Sequence, residues 1–186
     1  DKWDVSVSGK GKLMAYVVPN ASDASYYDLF IQGDGKVYAN PDSSFLFDEF
    51  RYLDQVNLGN FDTSRVTDMS GMFYAAGYYT PTFRINLGTN FDTSKVTDML
   101  SMFRSCSNLT TLDVSNFNTS NVTTMYYTYA YCTNLKGSPV CGNNVTRMDY
   151  AYLFCQKLTG NPVCGPNVNS MGYAYFYYNL FVENCN

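Results

Sequence analysis

Two hydrophobic periods alternate along most of this chain. Met69, Met72, Phe73 and Ala76 stand at i, i+3, i+4 and i+7, and Met99, Met102, Phe103 and Cys106 repeat the spacing. It returns at Met125, Thr128, Tyr129 and Cys132, at Met148, Ala151, Tyr152 and Cys155, and at Met171, Ala174, Tyr175 and Tyr178. This spacing predicts a short helix with one apolar stripe. Thr67, Thr97 and Thr123 precede the stripe as hydroxyl caps, and Asp68 and Asp98 place an acid in the first turn. The intervening segments alternate with period two. Leu53, Val56 and Leu58 form one such set, Ile85 and Leu87 the next, and Leu109, Leu112 and Val114 a third, followed by Leu135, Ser138, Val140 and Leu158, Asn161, Val163. These predict short strands with inward-facing side chains, stacked in parallel.

The two halves belong to one repeated unit. Phe61-Asp62-Thr63-Ser64-Arg65-Val66-Thr67-Asp68-Met69 matches Phe91-Asp92-Thr93-Ser94-Lys95-Val96-Thr97-Asp98-Met99 and, more loosely, Phe117-Asn118-Thr119-Ser120-Asn121-Val122-Thr123-Thr124-Met125. Two eroded copies follow around Val145 and Val168, so the valines step by 30, 26, 23 and 23 residues. No single unit can bury its own apolar side; stacking makes the phenylalanines, valines, methionines and the Phe73/Phe103/Tyr129/Tyr152/Tyr175 column into continuous ladders. An insertion around residues 77–82 accounts for the longest step.

Residues 1–45 lack the repeat and predict strands at 3–7, 12–18, 27–31 and 36–39. Gly9-Lys10-Gly11 and Gly33-Asp34-Gly35 are the expected hairpin turns. The expected architecture is therefore an α/β solenoid of about five units over 46–186, strands on one side and short helices on the other, behind an N-terminal β-hairpin cap over 1–45. No matching cap is visible at the other end, which suggests an open end able to self-associate, or a piece of a longer array.

Composition narrows the chemistry. The chain has 186 residues, a net charge of −4 and no stretch apolar enough to span a bilayer. Its twelve Lys and Arg form no stripe, which argues against nucleic acid as a partner. The sequence contains no His, so Ser-His and Cys-His nucleophile pairs and His metal ligands are excluded. It is rich in aromatics instead, with 18 Tyr and 13 Phe.

Several constellations have two readings. Cys106, Cys132 and Cys155 share one column and suit buried free thiols. Cys141 and Cys164 share another column and are the best disulfide candidate, since neighbouring rungs lie about 4.8 Å apart. Ligands one rung apart do not converge on a zinc ion. Asp62, Asp92, Asn118, Asp68 and Asp98 are calcium-type ligands or, on the favoured reading, turn-forming residues. Paired acids for glycoside hydrolysis are disfavoured because each acid recurs as a repeat position. Tyr127, Tyr150 and Tyr173 replace Gly71 and Ser101 at one repeat position and point away from the apolar stripe, with Tyr126, Tyr131 and Tyr177 nearby. They form a row for binding a sugar or protein, or else pack between rungs. Strand-face positions Asp54, Gln55, Asn57, Thr110, Thr111 and Asp113 are the rival exposed surface.

The Asn-Phe-Asp-Thr-Ser-x-Val-Thr-Asp-Met motif, followed by Met-Phe and a Cys, resembles the BspA-like leucine-rich-repeat surface proteins of bacteria, found also in mycoplasma lipoproteins. The resemblance covers about 46–181 and weakens beyond Leu135, where Gly-Ser-Pro-Val-Cys-Gly and Gly-Asn-Pro-Val-Cys-Gly replace the usual strand end. It implies a right-handed leucine-rich-repeat solenoid on the bacterial cell surface, with adhesion or host-protein binding as its role, and it supplies no catalytic motif. The expectation is a non-enzymatic extracellular binding protein without cofactor, recognising a host protein or carbohydrate. The alternative is a spacer or display array, including a phage tail module, with no ligand of its own.

Overall fold

A computed structural model describes residues 2–4, 14–32, 37–137, 142–159 and 165–176. Seven short strands form two sheets: β1 (Lys2–Asp4), β2 (Met14–Pro19), β3 (Tyr27–Gln32), β4 (Val37–Tyr38), β5 (Leu53–Asn57), β6 (Phe61–Asp62) and β7 (Arg84–Asn86). The larger sheet runs β1-β2-β3-β5-β7, and β4 pairs with β6 in the smaller one. β1, β2 and β3 are antiparallel, whereas β3, β5 and β7 are parallel, so the sheet is mixed.

The first expected hairpin is present, with Trp3 opposite Ala15; its Gly9–Gly11 turn lies outside the described residues. The second is not. β3 pairs with β5 rather than β4, and β4 crosses to β6 with Val37 opposite Phe61. Burial explains the choice: Val37 and Ala39 are buried and belong to the same core as Phe61, while β3 places Leu29 opposite Val56. Further on, Ser43, Phe45, Phe47 and Glu49 donate backbone N–H bonds to Asp68, Ser70, Met72 and Tyr74. Residues 27–30, 37–39 and 43–49 thus pair with residues between 53 and 74, although they lack the Phe-Asp-Thr-Ser motif.

The expected helices are absent among the described residues. The stripe nevertheless faces inward as predicted: Met69, Met72, Phe73, Ala76 and their counterparts through Cys155 are buried. What differs is the backbone. Phe103 N–H donates to the Thr128 carbonyl of the next rung at 2.8 Å, and Met99, Ser101 and Ser105 donate likewise to Thr124, Tyr126 and Ala130. The residues between them close tight turns instead, Met102 onto Met99, Arg104 onto Ser101 and Cys106 onto Phe103. The same alternation links every rung from Ser43–Glu49 to Met148–Phe154 with the one after it. Alternate N–H groups are thereby committed to a neighbouring rung, leaving no continuous i to i−4 ladder for a helix. An i, i+3, i+4, i+7 stripe suits a chain of three-residue-spaced turns as well as it suits a helix, so period alone could not separate them.

The threonines and aspartates accordingly act across and within rungs rather than as helix caps. Thr97 and Thr123 hydroxyls donate to the Thr67 and Thr97 carbonyls one rung back, each at 3.2 Å. Asp68 and Asp98 carboxylates accept the N–H two residues on, from Ser70 and Leu100. Asp62, Asp92 and Asn118 do the same with Ser64, Ser94 and Ser120, which is the turn chemistry expected of them. Single parallel bridges run Asp42, Asp68, Asp98, Thr124, Arg147 and Ser170 down the stack.

The core ladders form, although Phe117, Val168 and Met171 are only partly buried, and the aromatic one gains a member. Phe47, Phe73, Phe103, Tyr129, Tyr152 and Tyr175 stack successively with centroids 5.2–5.4 Å apart. Val66, Val96, Val122 and Val145 are fully buried. Cys106, Cys132 and Cys155 are buried free thiols, as expected. Each thiol donates to a carbonyl of the rung before, those of Phe73, Phe103 and Tyr129, at 2.9–3.0 Å. Cys141 and Cys164 lie outside the described residues, and with them the disulfide candidate.

The parallel strands stop at β7. Residues 110–114, expected as the next strand, form none and do not pair with β7, and Leu112 and Val114 are only half-buried. Counting explains the parting. Five residues separate Val56 from Phe61 and Leu112 from Phe117, but six separate Ile85 from Phe91. The additional residue, exposed Thr89, lies where a cleft of about 250 Å³ opens between 85–91 and 113–117. The insertion at 77–82 is anchored instead. Gly77, at φ +62°, admits the Phe83 ring where a Cβ would collide with it at 2.0 Å, and Phe83 is buried.

Candidate functional site

Among the described residues, two backbone positions four residues apart recur in the left-handed region from rung to rung. The first holds Phe45, Gly71, Ser101, Tyr127, Tyr150 and Tyr173, at φ of 54–59°. The second holds Glu49, Ala75, Ser105, Tyr131 and Phe154, at φ of 54–65°. This conformation costs a side-chain-bearing residue about 1–2 kcal/mol, so ten such residues imply compensating contacts. In the last rungs, the compensation is aromatic.

Tyr127 and Tyr150 stack with centroids 4.6 Å apart and planes within 7°, and Tyr150 and Tyr173 stack at 5.4 Å and 8°. Tyr131 and Phe154 form a second outer pair at 5.2 Å. Tyr126 meets Tyr127 edge-on at 4.6 Å, and the Arg147 guanidinium lies 5.1 Å from the Tyr126 ring centre. The rings of the tyrosine row are therefore stacked on one another rather than spaced apart. Tyr150 has both faces covered by its neighbours and offers mainly its edge and hydroxyl. Tyr173, 60% exposed, is the most open of the three. Burial and the neighbouring phenols of Tyr126 and Tyr150 push the Tyr127 hydroxyl above its ordinary pKa. Tyr177 lies outside the described residues.

The strand-face positions divide. Asp54 is buried, at 3% exposure, contrary to expectation. It accepts from Asn20 at 2.9 Å and from the Thr82 hydroxyl, and pairs with Arg84 at 2.9 Å. Pairing of β5 with β3 brings Asn20 onto it, a contact the repeat pattern does not signal. Gln55 is half-buried and accepts a long 3.4 Å bond from Arg84 Nε. Asn57 is exposed but closes its own turn to Gly59. Thr110, Thr111 and Asp113 are exposed, and Asp113 lines the cleft and accepts the Ser115 N–H. These residues do not converge on one place. Among the described residues, no group of three or more His, Cys, Asp or Glu is placed to hold a metal ion.

The residue that the sequence did not single out is Arg104. Its guanidinium lies 4.4 Å from the Tyr127 ring centre, 5.6 Å from Tyr74 and 6.0 Å from Tyr131. The only hint in the sequence is that Arg104 falls at the repeat position of Tyr74 and Ala130.

Stacked rungs with buried and outward-facing aromatic ladders define a repeat protein whose distinctive surface is aromatic. The family model described as "Mycoplasma protein of unknown function, DUF285" matches residues 42–162, and the chain belongs to that family. No curated protein and no solved structure matches the chain.

Proposed function

We propose that this chain is a non-enzymatic binding module of a bacterial cell surface, built as a right-handed leucine-rich-repeat-type solenoid of the BspA-like kind, whose outer aromatic face recognises a host glycan or protein. The observation that carries this reading is the column of Tyr127, Tyr150 and Tyr173, held by rung-to-rung bonding on a surface that the two preceding rungs furnish with Gly71 and Ser101. Tyr offers a rigid apolar body with a polar tip, so a ladder of its edges and hydroxyls can contact a partner at little entropic cost. Recognition then depends on shape and hydrogen bonding, and the reading assigns no catalytic residue and no cofactor.

A spacer or display array is favoured by one feature. The rings of Tyr127, Tyr150 and Tyr173 spend their faces on one another, as they would in a surface that only stiffens a rod. A glycan and host-protein array separates the two. Saturable binding by the full chain that weakens in Tyr173→Ala, with the melting temperature retained, supports recognition. Absence of binding across the array supports the spacer.

A further inference from the structure

The outer face changes character between two consecutive rungs. The left-handed positions hold Ser101 and Ser105 on one rung and Tyr127 and Tyr131 on the next. Both outer ladders therefore begin at a step, and Arg104 lies across it with three tyrosines around its guanidinium.

The charge of Arg104 is answered differently from that of the other arginines. Arg51, Arg84 and Arg147 have carboxylate partners in Glu49, Asp54 and Asp149, and Arg65 lies over the single ring of Tyr38. Arg104 has no carboxylate within 4 Å among the described residues, and its Nε is buried without a hydrogen-bond partner. Of its three guanidinium nitrogens, Nε alone is both buried and unpartnered. A guanidinium clad in rings has lost part of its water, so its remaining donors hold an anion more strongly than an exposed arginine would. The planar fork matches a carboxylate.

Tyr131 supplies the neighbouring apolar wall. Phe154 covers one face of its ring, while the equivalent place one rung back is Ser105, which carries no ring. Tyr131 remains 36% exposed.

We infer that Arg104 and Tyr131 form a subsite for a carboxylate-bearing sugar, the carboxylate on the Arg104 Nη groups and the C–H face of the pyranose against Tyr131. This deepens the recognition reading above and rests on it. A pyranose carboxylate is fixed beside a rigid apolar ring, which fits a guanidinium lying 6.0 Å from an aromatic centre; an acidic peptide offers the anion without that ring. A single cation on a chain of net charge −4 suits one carboxylate and not a polyanionic run.

The test is calorimetric titration of the full chain with glucuronate-ended and sialate-ended oligosaccharides, with their carboxyl-reduced counterparts and with an oligoglutamate. The inference expects at least one acidic sugar to bind, and which one binds identifies the source of the carboxylate. It expects the reduced counterpart to bind about ten-fold more weakly or worse, with a comparable loss in Arg104→Gln, a smaller one in Arg104→Lys and weakening in Tyr131→Ala. Comparison of acidic and reduced sugars on the unaltered chain keeps the test decisive if a variant misfolds. Equal binding of the two sugars, binding of oligoglutamate alone, or an unchanged affinity in folded Arg104→Gln overturns it. If the chain binds another partner through Tyr173 independently of Arg104, the subsite falls and the recognition surface stands. Absence of any binding removes both.

Discussion

The rings of Tyr127 and Tyr150 lie parallel, with centroids 4.6 Å apart, although both residues occupy left-handed backbone positions that disfavour side chains. Stacking and strain oppose each other at this pair, and substitution can separate them. Tyr150→Ala removes stacking on both sides while leaving the strained φ, and is expected to cost about 1–3 kcal/mol. Tyr150→Gly removes the strain as well and should cost about 1 kcal/mol less than the Ala variant. Thermal melts of the two variants check the order. A helix at this position would reverse it, since Gly there is about 1 kcal/mol worse than Ala.

Ser105 isolates the backbone term. Its φ is 62° and it is half-buried without a ring to lose. Ser105→Gly should stabilise the fold by up to about 1 kcal/mol, read as a rise in the denaturant midpoint at constant slope.

The fate of the cysteines follows from their depth. Burial pushes the Cys155 thiol up to about 12 and raises Cys106 and Cys132 as well. A thiol whose folded pKa lies above its unfolded value of about 8.5 contributes stability that is fully present below the unfolded value. That contribution declines as pH rises towards the folded pKa. The fold should therefore lose stability progressively between about pH 9 and pH 12. Alkylation at neutral pH should label these three thiols only after unfolding, which mass spectrometry of the peptides resolves.

Asp54 is a structural hub joining Asn20, Thr82 and Arg84. Asp54→Ala should cost about 1–3 kcal/mol, because it removes the acceptor of the Thr82 hydroxyl and leaves the Asn20 amide only its longer 3.3 Å bond to Asp28. Arg84→Ala leaves the buried Asp54 carboxylate without its cation, held only by the Asn20 and Thr82 donors, so it should also cost about 1–3 kcal/mol. Urea melts of both variants compare the two.

Much of this was legible in the chain itself. Repetition of Val66, Met69, Met72 and Phe73 identified the inward side of each rung, and the shared column of Cys106, Cys132 and Cys155 identified buried thiols. The backbone beneath that stripe was not legible. Turns and helices place Met69, Met72, Phe73 and Ala76 on one side alike, and tyrosine at φ 56° carries no glycine to announce it. The rung over 27–50 was hidden because its pairing with 53–74 rests on Leu29, Val37 and Phe47, without the Phe-Asp-Thr-Ser motif. Arg104 was hidden for another reason: its three tyrosines, at 74, 127 and 131, come from adjacent rungs and meet only when the stack forms.

The central structural claim is that alternate N–H groups of each stripe bond to the next rung, and scalar couplings across hydrogen bonds test it most directly. In the deuterated, isotope-labelled chain, the amide nitrogen of Phe103 should couple to the carbonyl carbon of Thr128, which accepts its hydrogen bond at 2.8 Å. Coupling of Phe103 to the carbonyl carbon of Met99, as in a helix, would contradict the account.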